Sequence, residues 1–311
     1  MVSAVRRARR RRRAQRRRNF RLLRVLARPL LALGPAAVTL AARIGGAWLW
    51  HLQRAETRLD LYNLELALGD VTDAPRRRAI LRQSLRTSVS FGLEVMKIIN
   101  GGVDAAEVSR HCRLKGIEHL DAALAGGRGA IIVSAHVGNF TLLPIALAAR
   151  GYPVSLVMRE ARHVPPGLYP QRLRELGINP VVADSGAGAT RACVKALRAG
   201  GVLVLYVDQG ARKSKVALPF LGRETPFDRG AAVLSRLAGC PLVPAFFDST
   251  GVFAGVLQVY PALEGADPAD ELAVLRQVVA RMEQQVRAHP QSWMWRYRRW
   301  RRLSAAGTAA D

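Results

Sequence analysis

The chain is short of acid and of cysteine, and it lacks several familiar motifs. Each shortage narrows what it can be. Against 48 lysines and arginines it carries 23 aspartates and glutamates, a formal net charge of +25. That balance favours anionic partners: phospholipid headgroups, phosphorylated sugars, an acidic carrier protein or nucleic acid. Its three cysteines, Cys112, Cys193 and Cys240, stand far apart in apolar or helical contexts. They form neither a disulfide framework nor a metal-ligand spacing, and they read as small buried hydrophobes. No Gly-x4-Gly-Lys loop and no dinucleotide glycine fingerprint is present, which excludes the nucleotide-loop enzymes. No Gly-x-Ser-x-Gly elbow is present either, which argues against a serine hydrolase. The first apolar segment, Pro29 to Ala42, is uncharged for only fourteen residues and contains Gly34-Pro35. A clean spanning helix needs about 20.

What is present is ample for one large domain, since half of the 311 residues are hydrophobic. The charge is unevenly spread. Residues 1–28 hold thirteen arginines and no acid, which leaves 35 bases against 23 acids in the remainder. The first segment, 1–21, reads as a disordered arginine-rich tail. Residues 22–52 are rich in leucine and alanine and include Trp48 and Trp50. An arginine flank beside an apolar helix with tryptophans suits a membrane anchor, spanning or lying on the cytoplasmic face of the inner membrane. The main domain is expected over 53–303, with a disordered end at 304–311.

Helical periodicity predicts helices over 55–69 and 74–99, and the second carries a lone Glu94 on a mostly apolar face. Such an acid either faces solvent or pairs with a buried arginine. Short apolar runs at 130–134, 153–157, 178–182, 202–207, 242–247 and 253–259 then read as strands. Helical patterns at 139–150, 166–176, 188–199 and 229–238 separate several of them, and a last helix runs from about 268 to 288. Buried strands alternating with helices predict an α/β fold, an αβα sandwich around a mostly parallel sheet.

Ligands of such sheets gather at the carboxyl ends of strands. His136, Arg159, Asp184 and Asp208 all fall just past a strand candidate. His136 opens the run His136-Val137-Gly138-Asn139-Phe140-Thr141 and is placed as a general base. Arg159 is a strand-end clamp for phosphate or a developing oxyanion. Asp208-Gln209 ends a very apolar strand and leads into a basic loop with Arg212, Lys213 and, further on, Arg223. The chain closes on Trp293-Met294-Trp295-Arg296-Tyr297-Arg298-Arg299-Trp300. Interleaved aromatics and arginines of this kind stack on bases, sit at a membrane interface, or pack on a core.

Taken in order, these blocks resemble the lipid A biosynthesis (lauroyl/myristoyl, or late) acyltransferase family of the lysophospholipid acyltransferase superfamily. The resemblance runs from about Leu22 to Trp300. It includes Asn63-Leu64, the His136 block, Met158-Arg159, Lys195-Ala196-Leu197-Arg198-Ala199-Gly200 and Asp208-Gln209. Pro219-Phe220-Leu221-Gly222, Ser235-Arg236-Leu237-Ala238 and the tryptophan-rich end complete it. It implies transfer of a fatty acyl chain from acyl carrier protein or acyl-CoA to a hydroxyl of a lipid A precursor or another anionic glycolipid or phospholipid. Neither a metal nor a cofactor is implied. It also implies that His136 is the base, with Asn139, Arg159, Gln209, Arg212, Lys213 and Arg223 around the substrates.

In that family the histidine is followed, after four residues, by an acid. Here Thr141 stands in its place, and Tyr297 stands where the family commonly has histidine. Three readings follow. Asp208 assists His136; Thr141 orients it without supplying charge; or chemistry is lost and the chain is a lipid-binding or regulatory membrane protein. Nonspecific binding of nucleic acid by the basic tail is a further class, with no recognition motif behind it.

Overall fold

The computed structural model describes residues 31–159, 164–183, 186–209, 215–265, 269–297 and 300, with isolated positions between 15 and 29. Among the described residues from 35 on, the chain opens with α1 (Pro35–Leu52), α2 (Arg54–Leu68) and α3 (Ala74–Ile99). The α3 helix starts on an Asp73 cap, whose side chain accepts from the Arg76 N–H at 2.8 Å, with Pro75 in its first turn. The alternating part follows as α4 (Ala105–His111), β1 (Cys112–Lys115), α5 (Ile117–Leu124), β2 (Ala130–Ser134), α6 (Leu142–Ala148) and β3 (Val154–Met158). It continues with α7 (Leu168–Glu175), β4 (Asn179–Val182), α8 (Ala187–Arg198) and β5 (Val202–Tyr206). A hairpin of β6 (Lys215–Phe220) and β7 (Arg223–Asp228) leads to α9 (Gly230–Ala238), β8 (Leu242–Gly251), β9 (Ala254–Val259) and α10 (Glu271–Ala288).

Seven strands form one sheet in the order β1-β9-β8-β2-β5-β3-β4, parallel except where β8 meets β9. Residue alternation along the strands sorts the core into two layers. Ile131, Val133, Leu203 and Leu205 pack against α2, α3, α8, α9 and α10. Ala130, Ile132, Val202 and Val204 pack on the other face, against α4, α5, α6 and α7. The expected α/β architecture with a mostly parallel sheet is therefore present, with helices on both faces.

Two local differences from the sequence pattern have physical causes. The stretch read as a basic loop after Asp208 resumes as the β6–β7 hairpin, whose inward Leu218, Phe220 and Phe227 join the core. The first strand, β1, is only four residues and half-exposed, so it leaves little apolar signal. All three cysteines are free and buried.

At the amino-terminal side, α1 lies along α3 through small residues: a Cβ at Gly45 would stand 2.9 Å from Val89, and one at Gly46 2.8 Å from Arg86. The opposite side of α1 leaves Leu40, Ile44, Trp48 and Leu52 exposed at a spacing of four. No helix among the described residues is long and apolar enough to cross a membrane. The terminal segments expected to be disordered, 1–21 and 304–311, lie almost entirely outside the described residues.

Candidate active site

The sheet order explains why the strand-end residues meet. β5 lies between β2 and β3, and Ser134 pairs with Tyr206 at the last register position. Two residues further on, His136 and Asp208 therefore leave the sheet side by side. His136 Nδ1 stands 2.6 Å from Asp208 Oδ1, and the His136 backbone N–H donates to Oδ2 at 3.1 Å. Trp293, far along the chain, donates its indole N–H to the same Oδ2 at 3.0 Å. Both members of the pair are buried.

Burial pushes the Asp208 carboxyl up, but the facing His136 charge and the hydrogen bonds from His136 and Trp293 outweigh it. The net direction is below the ordinary carboxylate value. Asp208 is thus an ionised acceptor that draws the imidazole proton to Nδ1. That assignment leaves Nε2 with its lone pair, and the Gln209 amide Nε2 stands 3.0 Å from it. Phe140 and Tyr206 close on the ring, with centroids 4.3 Å and 5.1 Å away. The Tyr206 hydroxyl donates to the Phe140 carbonyl at 2.6 Å, and burial raises that phenol well above its ordinary value.

The turn after the histidine is fixed from below. Gly138 has a φ of 56°, and a Cβ there would stand 2.6 Å from the Phe247 carbonyl oxygen, so glycine is required. The Asn139 N–H donates to Ser249 Oγ at 2.8 Å, and its side-chain amide donates to Glu94 Oε2 at 2.6 Å. Thr141 gives its hydroxyl proton to Asn139 Oδ1 at 2.5 Å. These contacts correct two expectations. Thr141 spends its hydroxyl on Asn139 instead of orienting the imidazole, and Asn139 braces the turn instead of facing substrate.

Glu94 is neither solvent-facing nor paired with an arginine. It is buried and accepts from Ser90 Oγ, Asn139 Nδ2 and the Phe253 N–H. Burial raises its carboxyl above the ordinary value despite those bonds and the charge of Lys97. In sequence, Glu94 showed only as an acid out of place on an apolar face.

His136, Thr141, Arg159 and Gln209 line a cavity of about 810 Å³ at the carboxyl ends of β3 and β5. Its lining includes Phe91, Val95 and Ile99 of α3 and Ala189, Cys193 and Leu234 of α8 and α9. Apolar side chains make the larger part of its wall, alongside polar groups that include Thr190 and Asp228, and that apolar part suits a hydrocarbon chain. Arg159 is exposed at the rim. Arg223, at the start of β7, is not among the lining residues, so the structure does not bring it to the cavity. Asp184, Arg212 and Lys213 lie outside the described residues.

Comparison with known proteins supplies the class. Residues 9–302 match the model of the bacterial lipid A biosynthesis acyltransferase family, and the chain belongs to that family. It is thereby an acyltransferase by class.

The chain is similar to the phosphatidylinositol mannoside acyltransferase of Mycobacterium tuberculosis strain H37Rv, 28% identical over 74% of this chain and 73% of that protein. It is similar to that of Mycolicibacterium smegmatis, 24% identical over 69% and 70% of the two chains. The match to the protein of the same name from M. tuberculosis strain CDC 1551 is 29% identical and spans 57% of this chain and 56% of that one.

Proposed function

We propose that this protein transfers a fatty acyl chain from a thioester carrier to a hydroxyl of a phosphatidylinositol mannoside-type glycolipid. The observation that carries the reading is the 2.6 Å contact of His136 Nδ1 with Asp208, beside an apolar cavity that the histidine lines. With Nδ1 engaged, Nε2 is the basic nitrogen. The acceptor hydroxyl takes the place of the Gln209 amide at Nε2 and gives up its proton there. Its oxygen bonds to the thioester carbonyl carbon, the carbon–sulfur bond breaks, and the carrier thiolate recovers the proton from the imidazolium. Asp208 stabilises that imidazolium and keeps its tautomer. Arg159 at the rim opposes negative charge on the donor or on the acceptor phosphate.

The acyl carrier, acyl carrier protein or acyl-CoA, presents anions to a basic surface in either case. The similarity to the mycobacterial enzymes favours a mannosylated lipid over a lipid A precursor as acceptor. The work site is the membrane surface, on the cytoplasmic face of the inner membrane. The exposed stripe Leu40, Ile44, Trp48 and Leu52 of α1 supports this, as do the exposed Arg78, Arg82 and Arg86 of α3.

The test is direct. The purified full chain is incubated with a long-chain acyl-CoA and phosphatidylinositol mannoside, and the lipids are weighed by mass spectrometry. A product heavier by one acyl chain, absent with His136→Ala, is expected. Full turnover by His136→Ala overturns the mechanism.

A further inference from the structure

We propose that Trp293 is a positioning residue for the His136–Asp208 pair, acting through its indole N–H on Asp208 Oδ2. The proposal rests on the reading of His136 as the base.

The aromatic run at the carboxyl end first reads as one packing block, but its tryptophans use their N–H groups differently. Trp295 donates to the Pro290 carbonyl at 2.7 Å and Trp300 to Thr225 Oγ1 at 2.9 Å. Those acceptors are neutral and serve the fold. Trp293 donates at 3.0 Å to the ionised carboxylate that holds the histidine. Its backbone is also stitched to the histidine's own loop. Trp293 forms a β-bridge with Val137, and the Gly138 N–H donates to the Ser292 carbonyl at 2.9 Å. From the far side, Ser84 Oγ of α3 donates to the Trp293 carbonyl at 2.7 Å. Phe220, Trp295 and Trp300 meet the indole edge-on at 5.8, 4.8 and 6.1 Å, so the ring has no room to swing. One immobile residue therefore fixes the turn carrying the base and the acid that serves it.

The bond has two consequences. It anchors Oδ2, together with the His136 N–H, so that Oδ1 is presented to Nδ1. It also draws charge from the carboxylate and makes adding a proton to the pair less favourable. Among the described residues, the groups facing Asp208 include His136 from the β2 end, Trp293 and, along its own strand, Tyr206. Around His136 the described residues include Asp208, Gln209, Phe140 and Tyr206, with Arg159 on the same cavity wall and Glu94 behind Asn139. Removing the indole N–H while keeping an aromatic ring raises the proton affinity of the pair as a unit.

The experiment compares Trp293→Phe, Trp295→Phe and His136→Ala with wild type in full-length protein, using acyl-CoA and phosphatidylinositol mannoside. For Trp293→Phe the expected kcat at neutral pH is about tenfold lower with unchanged KM for the lipid. The acid limb of kcat/KM moves to higher pH by about half a unit. Trp295→Phe lowers the melting temperature without moving the limb. An unmoved limb in Trp293→Phe, with His136→Ala inactive, overturns the proposal and leaves the base intact. Activity in His136→Ala overturns both. Should Trp293→Phe fail to fold, the Trp293 indole proton is followed by NMR in wild type labelled with ¹⁵N at tryptophan. A shift that titrates with the acid limb supports the proposal, and a flat one overturns it.

Discussion

The carboxylate that holds His136 stands 72 residues downstream of it, with Asp208 Oδ1 2.6 Å from Nδ1. A threonine at 141 is therefore compatible with a charged dyad, because adjacent parallel strands deliver the acid. Asp208→Asn should lower kcat by about 10²–10⁴-fold, since the amide neither stabilises the imidazolium nor holds the right tautomer. Thr141→Val removes only a bond to Asn139 and should stay within about tenfold of wild type. Thr141→Glu should lower activity, because it puts a second carboxylate at a buried turn that already leans on Glu94. Steady-state acyl transfer by the three variants distinguishes the roles.

Acidification should switch the enzyme off along a single limb. The mechanism needs a free Nε2, so adding a proton to the His136–Asp208 pair as a unit lowers kcat/KM. The Asp208 carboxyl itself is held below the ordinary range, because the facing His136 charge and the hydrogen bonds from His136 and Trp293 outweigh its burial. In Asp208→Asn the limb moves to lower pH, since the charge that favoured the imidazolium is gone. The sign for stability agrees. A depressed carboxyl supports the fold above its unfolded pKa, and that support is lost as pH falls through the folded value. Profiles of kcat/KM and melting temperature against pH check both.

The sheet was legible because its strands are apolar on both faces. The run 130–134 matches β2 to the residue, and the other expected strands fall within a few residues of their ends. His136 and Asp208-Gln209 were legible as strand-end residues, but their contact needed the strand order. Nothing in the chain says that β5 inserts between β2 and β3. Asn139 and Thr141 were misread because a turn residue that faces substrate and one that faces a buried acid have the same local pattern. The partner that decides is Glu94, 45 residues away on another element. Trp293 was hidden for the opposite reason: its neighbours are also tryptophans, and composition alone assigns all of them to packing.

Glu94 should behave as a brace and not as the acid of the dyad. Three donors converge on its carboxylate: Ser90 Oγ, Asn139 Nδ2 and the Phe253 N–H. Glu94→Gln keeps an oxygen for Asn139 and Phe253 and should retain most of the activity. Glu94→Leu leaves those two buried donors without their acceptor and should cost about 2–4 kcal/mol of stability. Chemical denaturation with an activity assay at matched folded fraction separates the outcomes. Equal loss of turnover in Gln and Asp208→Asn variants would count against Asp208 as the sole acid.

The exposed stripe on α1 should govern membrane contact. Leu40, Ile44, Trp48 and Leu52 are 58%, 63%, 54% and 66% exposed, and they recur every four residues on one side of a helix whose other side packs on α3. Among the described residues nothing covers this apolar row, and single exposed apolar residues would not align this way. On α3 the Arg82 guanidinium stands 4.6 Å from the Trp50 ring centroid, with Arg78 and Arg86 exposed one turn away on either side. Exposed arginines on the neighbouring helix should add attraction to anionic headgroups. Ile44→Glu combined with Trp48→Glu should reduce binding to anionic vesicles at least tenfold, on the order of the apolar area lost. The same variant should keep its melting temperature and its turnover on detergent-dispersed acceptor, because neither residue touches the core or the cavity. Raised salt should weaken wild-type binding, through the arginines, more than it weakens a variant with Arg78, Arg82 and Arg86 replaced by glutamine. Vesicle sedimentation across a salt series measures all of these, and unchanged binding by the double glutamate variant would remove α1 from the membrane contact.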